Sequence, residues 1–351
     1  MAATTIQAAE GRRALTIRAM VGRYLGWVVV AGFGAWFLWN FIDSPAQFVQ
    51  VSIIGLTNGS IYALIALGYT LVYGIIELIN FAHGDLFMLG SVFGMHLLNQ
   101  WLGVTDSSFS AWLVLVAVMV ATMAFCGTIN VTVERVAYRP LRHAPKLAPL
   151  ITAIGMSFIL QNIGLLWNGE GQVGIRRVLP GGNAFEIAGV HVSWLSVIVV
   201  CVTIPLLLLL SYVVRNTRQG KAMRAVAQDT EASRMMGIDV NRTISITFAV
   251  AGALAGAAGV LYVTYYTQTR FDLGFQLGLF AFTAAVLGGI GNLTGAALGA
   301  LCIGLITAYN DGLSWHAPGS DWTQSIVFTI LILILVFRPE GLLGEPEADR
   351  A

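Results

Sequence analysis

The chain is a succession of long apolar runs with little charge between them. They fall at roughly 24–42, 50–75, 78–98, 111–133, 147–167, 193–214, 243–265, 278–290, 295–310 and 323–337. A helical span needs about 20 apolar residues. Inside a bilayer every backbone N–H and C=O must be bonded within the protein, so only helices and closed barrels cross it. These runs are unbroken rather than alternating, which points away from a barrel. Apolar residues make up 57% of the chain and charged residues 11%, well outside the range of soluble domains. The fold class read from this pattern is an all-α polytopic membrane protein, a bundle of about 8–10 transmembrane helices.

The runs at 278–290 and 295–310 are short, and the stretch Leu287–Ala300 between and within them is dense in glycine. Glycine weakens helices. The pattern predicts a Gly-rich broken or re-entrant segment, which a membrane tolerates only where backbone is buried or lines a cavity. Elsewhere glycines pair four apart, as in Gly55 with Gly59 and Gly252 with Gly256. Such pairs let helix backbones approach closely, which is how helices associate when lipid gives little hydrophobic drive. The run at 24–42 follows four arginines, yet is too long and Trp-rich for a cleaved signal, and reads as a signal-anchor helix.

Basic residues orient the bundle. With the N-terminus inside, the cytoplasmic segments receive Arg12, Arg13, Arg18 and Arg23, then Arg135, Arg139, Arg142 and Lys146. They also receive Arg215, Arg218, Lys221, Arg224, Arg234 and Arg242, and finally Arg338 and Arg350. Only Arg176, Arg177 and Arg270 fall outside. This bias places both termini in the cytoplasm. A net charge of +1 gives no reason to expect a nucleic acid partner. Cys126, Cys201 and Cys302 all lie in apolar runs, with neither zinc nor disulfide spacing, and read as small core hydrophobes.

The polar loop 215–242 holds six of the nineteen Lys and Arg residues. Its stretch Gln219–Met236 is helix-forming. Lys221, Arg224 and Gln228 share one face, Ala232 and Ser233 permit close helix approach, and Gly237 suits a helix end with positive φ. A segment of this kind is predicted to be a cytoplasmic coupling helix offered to a soluble partner. No GxxxxGK[ST], HExxH or GxSxG motif occurs, so the chain shows no site for ATP chemistry or hydrolysis of its own. Polar residues in the spans mark a candidate translocation path: Asn58, Ser60, Tyr62, Asn80, Gln161, Asn162 and Asn292. Asn58 and Gly59 are expected to mark a helix break whose amides face a substrate carboxylate. A rival reading is an ion-coupled carrier using Glu77, His83 and Asp85. A second rival is a membrane enzyme or scaffold, for which no catalytic cluster is found.

Several stretches together carry a family likeness. Asn58–Gly90 (NGSIYALIALGYTLVYGIIELINFAHGDLFMLG), Glu134–Arg142, Ala153–Asn162, Phe282–Gly299 and Phe337–Gly344 closely resemble the membrane subunits of branched-chain amino-acid ABC importers. Urea and short-amide permeases share that scaffold. The resemblance implies a permease that translocates branched-chain or similar amino acids across the bacterial inner membrane by alternating access. The implied partners are a second homologous permease, two cytoplasmic ATPase subunits and a periplasmic solute-binding protein. It implies no cofactor in this chain, with ATP and Mg bound by the partner subunits. Glu231, Ala232, Ser233 and Gly237 match the family's EAA-xxx-G coupling loop, with serine for the second alanine and without its Leu-Pro ending. The likeness divides the chain into an N-terminal extension at 1–48 with an extra span, a permease domain at 49–346 and a tail at 347–351.

Overall fold

The computed structural model describes residues 32, 34–101, 109–142, 144–145, 147–175, 182–187, 189–313, 317–338 and 340–344. Much of the expected first span, 24–42, lies outside the described residues, as do the proposed loop cations Lys146, Arg176 and Arg177. Residues 34–43 are helical and dock through Phe37, whose ring meets Phe48 and Tyr309 edge-on at 5.0 and 4.8 Å.

The spans follow as α1 (Pro45–Ile76), α2 (Ala82–Trp101), α3 (Phe109–Val133), α4 (Leu147–Asn168) and α5 (Trp194–Asn216). Two loop helices come next, α6 (Arg218–Gln228) and α7 (Thr230–Met235). Then come α8 (Val240–Tyr266), α9 (Leu273–Gly288), α10 (Leu293–Gly312) and α11 (Ser320–Phe337). Among the described residues seven helices are long and apolar enough to cross a membrane; α2 and the 16-residue α9 fall outside that set. The sequence did not reveal two small antiparallel sheets at one end of the bundle. In these, β1 (Val173–Gly174) pairs with β4 (Gln268–Thr269), and β2 (Asn183–Ile187) pairs with β3 (Val190–Ser193).

Burial separates the centre from the rim. In the most apolar stretch of α1, 78% of residues are buried, and in α8 72%, against 11% in α11. The longest seams join α1 to α10 and α3 to α8, with α2 wedged against α8. These seams are made by glycine. A Cβ at Gly59 would lie 2.8 Å from Leu301 Cα, and one at Gly55 2.9 Å from Leu305 Cα. Asn58 and Gly59 therefore mark no break: α1 runs through them, and the small residues bring α10 close.

α2 and α9 both begin inside the bundle. The His83 ring packs on Gly68, eight residues before the end of α1, so the chain climbs back about 12 Å before α2 starts. On the other side, β4 turns inward until the Thr269 and Ser91 hydroxyls meet at 2.5 Å, and α9 starts with Gly274 against Gly84 and Asp85. The short element is thus α9, whereas α10 is of full length. The glycine run forms the turn between them, with Gly289 and Gly291 at φ of 105° and 95°. Of the three cysteines, Cys126 is buried, but Cys201 and Cys302 face outward on the spans.

Candidate coupling surface and polar path

At the end of the bundle opposite the sheets, the connectors 134–142, 217–240, 289–292 and 340–344 gather. Arg142 donates to Asn241 at 2.7 Å, Leu342 N–H to the Leu287 carbonyl at 2.8 Å, and Asn292 to the Leu343 carbonyl at 2.8 Å. The helix expected over 219–236 is two helices, not one. Asp229 sits in extended backbone at φ −154° and its carboxylate accepts from Glu231 and Ala232 N–H at 2.8 and 2.9 Å. A short acidic side chain competes with the helix for backbone donors and restarts it as an N-cap. α7 ends as expected, with Gly237 at φ +79°.

Met223 and Val226 are buried and anchor α6 on the bundle, while Gly220 abuts the Val213 and Val214 carbonyls so closely that no Cβ fits. Lys221 and Gln228 are exposed. Arg224, though exposed, turns back to donate to the Val214 and Arg215 carbonyls, closing the end of α5. In α7 Glu231 is exposed, Ala232 half-buried and Ser233 buried. The most prominent feature escaped the sequence reading: Met235 and Met236 are each 82% exposed. Two adjacent large apolar residues in an otherwise polar loop were the available signal. Behind α6 and α7 lies a cavity of about 700 Å³, with Glu77, Tyr138, Arg142, Asp229, Glu231 and Arg234 in its wall.

A buried brace fixes this end. After α3 one π turn, Glu134–Tyr138, rotates Glu134 fully inward. There it accepts from Arg142 and from the Ser245 hydroxyl at 2.7 Å. Burial lowers the Arg142 guanidinium from its ordinary range, and the Glu134 carboxylate opposes that shift.

The seven candidate path residues do not form one lining. Asn58 is half-buried and accepts from the Tyr266 hydroxyl at 2.7 Å. Tyr62, buried, meets Phe280 edge-on at 6.2 Å. Ser60 bonds back to the Leu56 carbonyl, and Asn162, exposed, to the Phe158 carbonyl. Asn80 is a buried interhelical brace, accepting from Tyr138 at 3.0 Å and facing Asn130. Asn292 caps α10, accepting from Thr294 and Gly295 N–H at 3.0 and 3.1 Å. Gln161 joins a chain in which it donates to Ser157 at 3.2 Å and Ser157 donates to the buried Asp85. The interhelical bonds among these, from Tyr266 to Asn58, Tyr138 to Asn80 and Ser157 to Asp85, hold helices together, contributing about 0.6–2 kcal/mol each. Among the described residues no group of acidic, His or Cys side chains is arranged to hold a metal.

The fold is that of a multi-pass helical membrane protein with a loop-helix pair docked on one end of the bundle. The chain belongs to the family described as branched-chain amino acid transport system / permease component, whose profile matches residues 51–336. It is 40% identical over 309 residues to the high-affinity branched-chain amino acid transport system permease protein BraD of Pseudomonas aeruginosa, covering 87% of this chain and 98% of that one. It is 38% identical over 309 residues to LivH, the protein of the same description in Escherichia coli, covering 86% and 97%. A more distant relative, the autoinducer 2 import system permease protein LsrD of Yersinia enterocolitica, is 24% identical over 325 residues, covering 87% and 92%. No solved structure matches the chain. As a permease, the chain works as one component of a transport system, and the hydrolysis of ATP lies in other subunits.

Proposed function

We propose that the chain translocates branched-chain or similar amino acids into the cell by alternating access. Its partners in this reading are a second homologous permease, two ATPases that bind ATP and Mg, and a periplasmic solute-binding protein. The support for the solute is the description of the BraD and LivH relatives, which align along nearly their whole length. The basic connectors gather at one end, and by the positive-inside bias that end is cytoplasmic.

The observation that carries the coupling role is the Met235–Met236 pair, exposed at the C-terminal end of a helix whose other face is buried through Ser233. Methionine is a flexible apolar plug suited to a partner's groove. Glu231 and Gly237 lie at the two ends of α7 beside this plug, Lys221 adds an exposed cation on α6, and Arg224 holds α6 against α5. Because Asp229 breaks the segment, α7 moves as a short unit about that break. ATP binding biases the bundle only through a difference in how the two ATPase states grip it. On the path, the half-buried Asn58–Tyr266 pair is the best placed of the candidates, with Tyr62 beneath it.

The test is co-purification. Met235→Asp combined with Met236→Asp removes two exposed apolar side chains that a docked ATPase would bury, each then contributing about 1.5–3 kcal/mol. The ATPases are expected to be lost, and solute-stimulated ATP hydrolysis with them, while membrane insertion is unchanged. Full retention of the ATPases by this variant would falsify the assignment of α7 as the docking element.

A further inference from the structure

A second pocket at the same end is not used by the coupling surface. It lies between the end of α3 with its π turn and the start of α8, and has a volume of about 360 Å³. Arg135, Arg139 and Arg242 line it, together with Asp239, Asn241 and Ser245. All three arginines are exposed, and among the described residues none is in an ion pair. The nearest acids are already committed. Glu134 is taken up by Arg142 and by Ser245, and Asp239 caps α8 by accepting from the Arg242 N–H at 3.0 Å. The wall therefore holds three guanidinium groups against one carboxylate.

One turn further into the spans the pocket is apolar, lined by Val131, Ile246 and Ala249. These residues lie inside the two spans. Val136, on the outer side of the π turn, is 66% exposed. The pocket thus straddles the level where spans meet water, basic at its loop end and apolar at its bilayer end. A soluble anion would use only the first half. A phosphodiester with acyl chains uses both, and guanidinium groups match phosphate oxygens in charge and geometry. Basic pockets between helices at the cytoplasmic surface suit anionic headgroups.

We propose that Arg135, Arg139 and Arg242 bind the phosphate headgroup of an anionic phospholipid, whose acyl chain lies along Val131, Ile246 and Ala249. The bound lipid fills the groove between α3 and α8 next to the Glu134 brace. It supplies the negative charge that the cluster lacks.

The full-length chain, purified in neutral detergent, is titrated with phosphatidylglycerol and with phosphatidylcholine of identical acyl chains, and bound lipid is counted by native mass spectrometry. Phosphatidylglycerol is expected to bind at least about tenfold more tightly, and Arg135→Gln with Arg242→Gln to reduce that preference by about tenfold. Arg139→Gln alone, at an exposed position, repeats the measurement if the double variant does not fold. Equal binding of the two lipids, or an unchanged preference in the variants, overturns the proposal. Displacement of phosphatidylglycerol by millimolar inorganic phosphate also overturns it, in favour of a soluble-anion site. Loss of the ATPases from the variants with lipid preference intact overturns it as well, in favour of a protein interface. Lipid binding is read without transport, so its failure is distinct from a failure of the coupling assignment.

Discussion

Gly59→Ala tests the packing that organises the bundle. The added methyl would lie 2.8 Å from Leu301 Cα and 3.0 Å from the Ala300 carbonyl oxygen. Both are backbone atoms, so no rotamer change on α10 relieves the contact. Ordinary contact begins near 3.4 Å. The α1 and α10 backbones must therefore part by about 0.6 Å, a gap that forfeits about a quarter or more of the dispersion energy of each contact it opens. Overpacking of this kind costs about 1–3 kcal/mol, from which the better helix propensity of alanine returns about 0.5–1 kcal/mol. Gly155→Ala on α4 has nothing within 4 Å of the new methyl and keeps only the propensity gain. The two substitutions are chemically identical and are expected to move stability in opposite directions. With Cys201 and Cys302 changed to Ser, thermal unfolding in a fixed detergent can be followed by labelling of the buried Cys126 with a thiol-reactive dye. Gly59→Ala should expose Cys126 at a lower temperature, and Gly155→Ala at the same or a higher one. If Gly59→Ala unfolds no earlier than Gly155→Ala, close backbone approach is not what holds α1 to α10.

Three further substitutions probe the loop end. Glu134→Ala takes the carboxylate from a guanidinium whose side chain is only 15% exposed, leaving it Asn241 alone, and is expected to destabilise by about 3–5 kcal/mol. Adding Arg142→Ala should recover much of that loss in a double-mutant cycle, whereas strictly additive losses would show that the two groups do not interact. Asp229→Ala removes the acceptor of two amides and should cost about 1 kcal/mol. Hydrogen exchange at Glu231 and Ala232 is the readout, and unchanged protection there would discount the cap.

The positions of the spans were legible because the requirement that creates them is local. Each apolar run of sufficient length becomes a helix whatever its neighbours do, and α1, α3, α4, α5, α8, α10 and α11 lie where the hydropathy places them. Gly237 was legible for a similar reason, since a glycine after a helical stretch suits a positive φ. Polar residues in the spans were the poorest guide. Asn80, Asn292 and Ser60 look alike in sequence, yet the first braces helices, the second caps one, and the third bonds to its own backbone. A side chain able to line a path is equally able to tie helices together, and only its neighbours decide.

Sequence alone settled the solvent this protein lives in, the rough limits of seven of its long helices, and the loops in which its basic charge collects. Those follow from the cost of placing peptide groups and cations in hydrocarbon, a cost paid residue by residue. Tertiary structure decided the rest: that α2 and α9 start within the bundle, that Asp229 splits the loop helix, and that Met235 and Met236 point outward. It also decided that Arg135, Arg139 and Arg242, drawn from two segments a hundred residues apart, share one pocket. Such features depend on which surfaces meet, and glycine seams without directional bonding give no local sign of their partner.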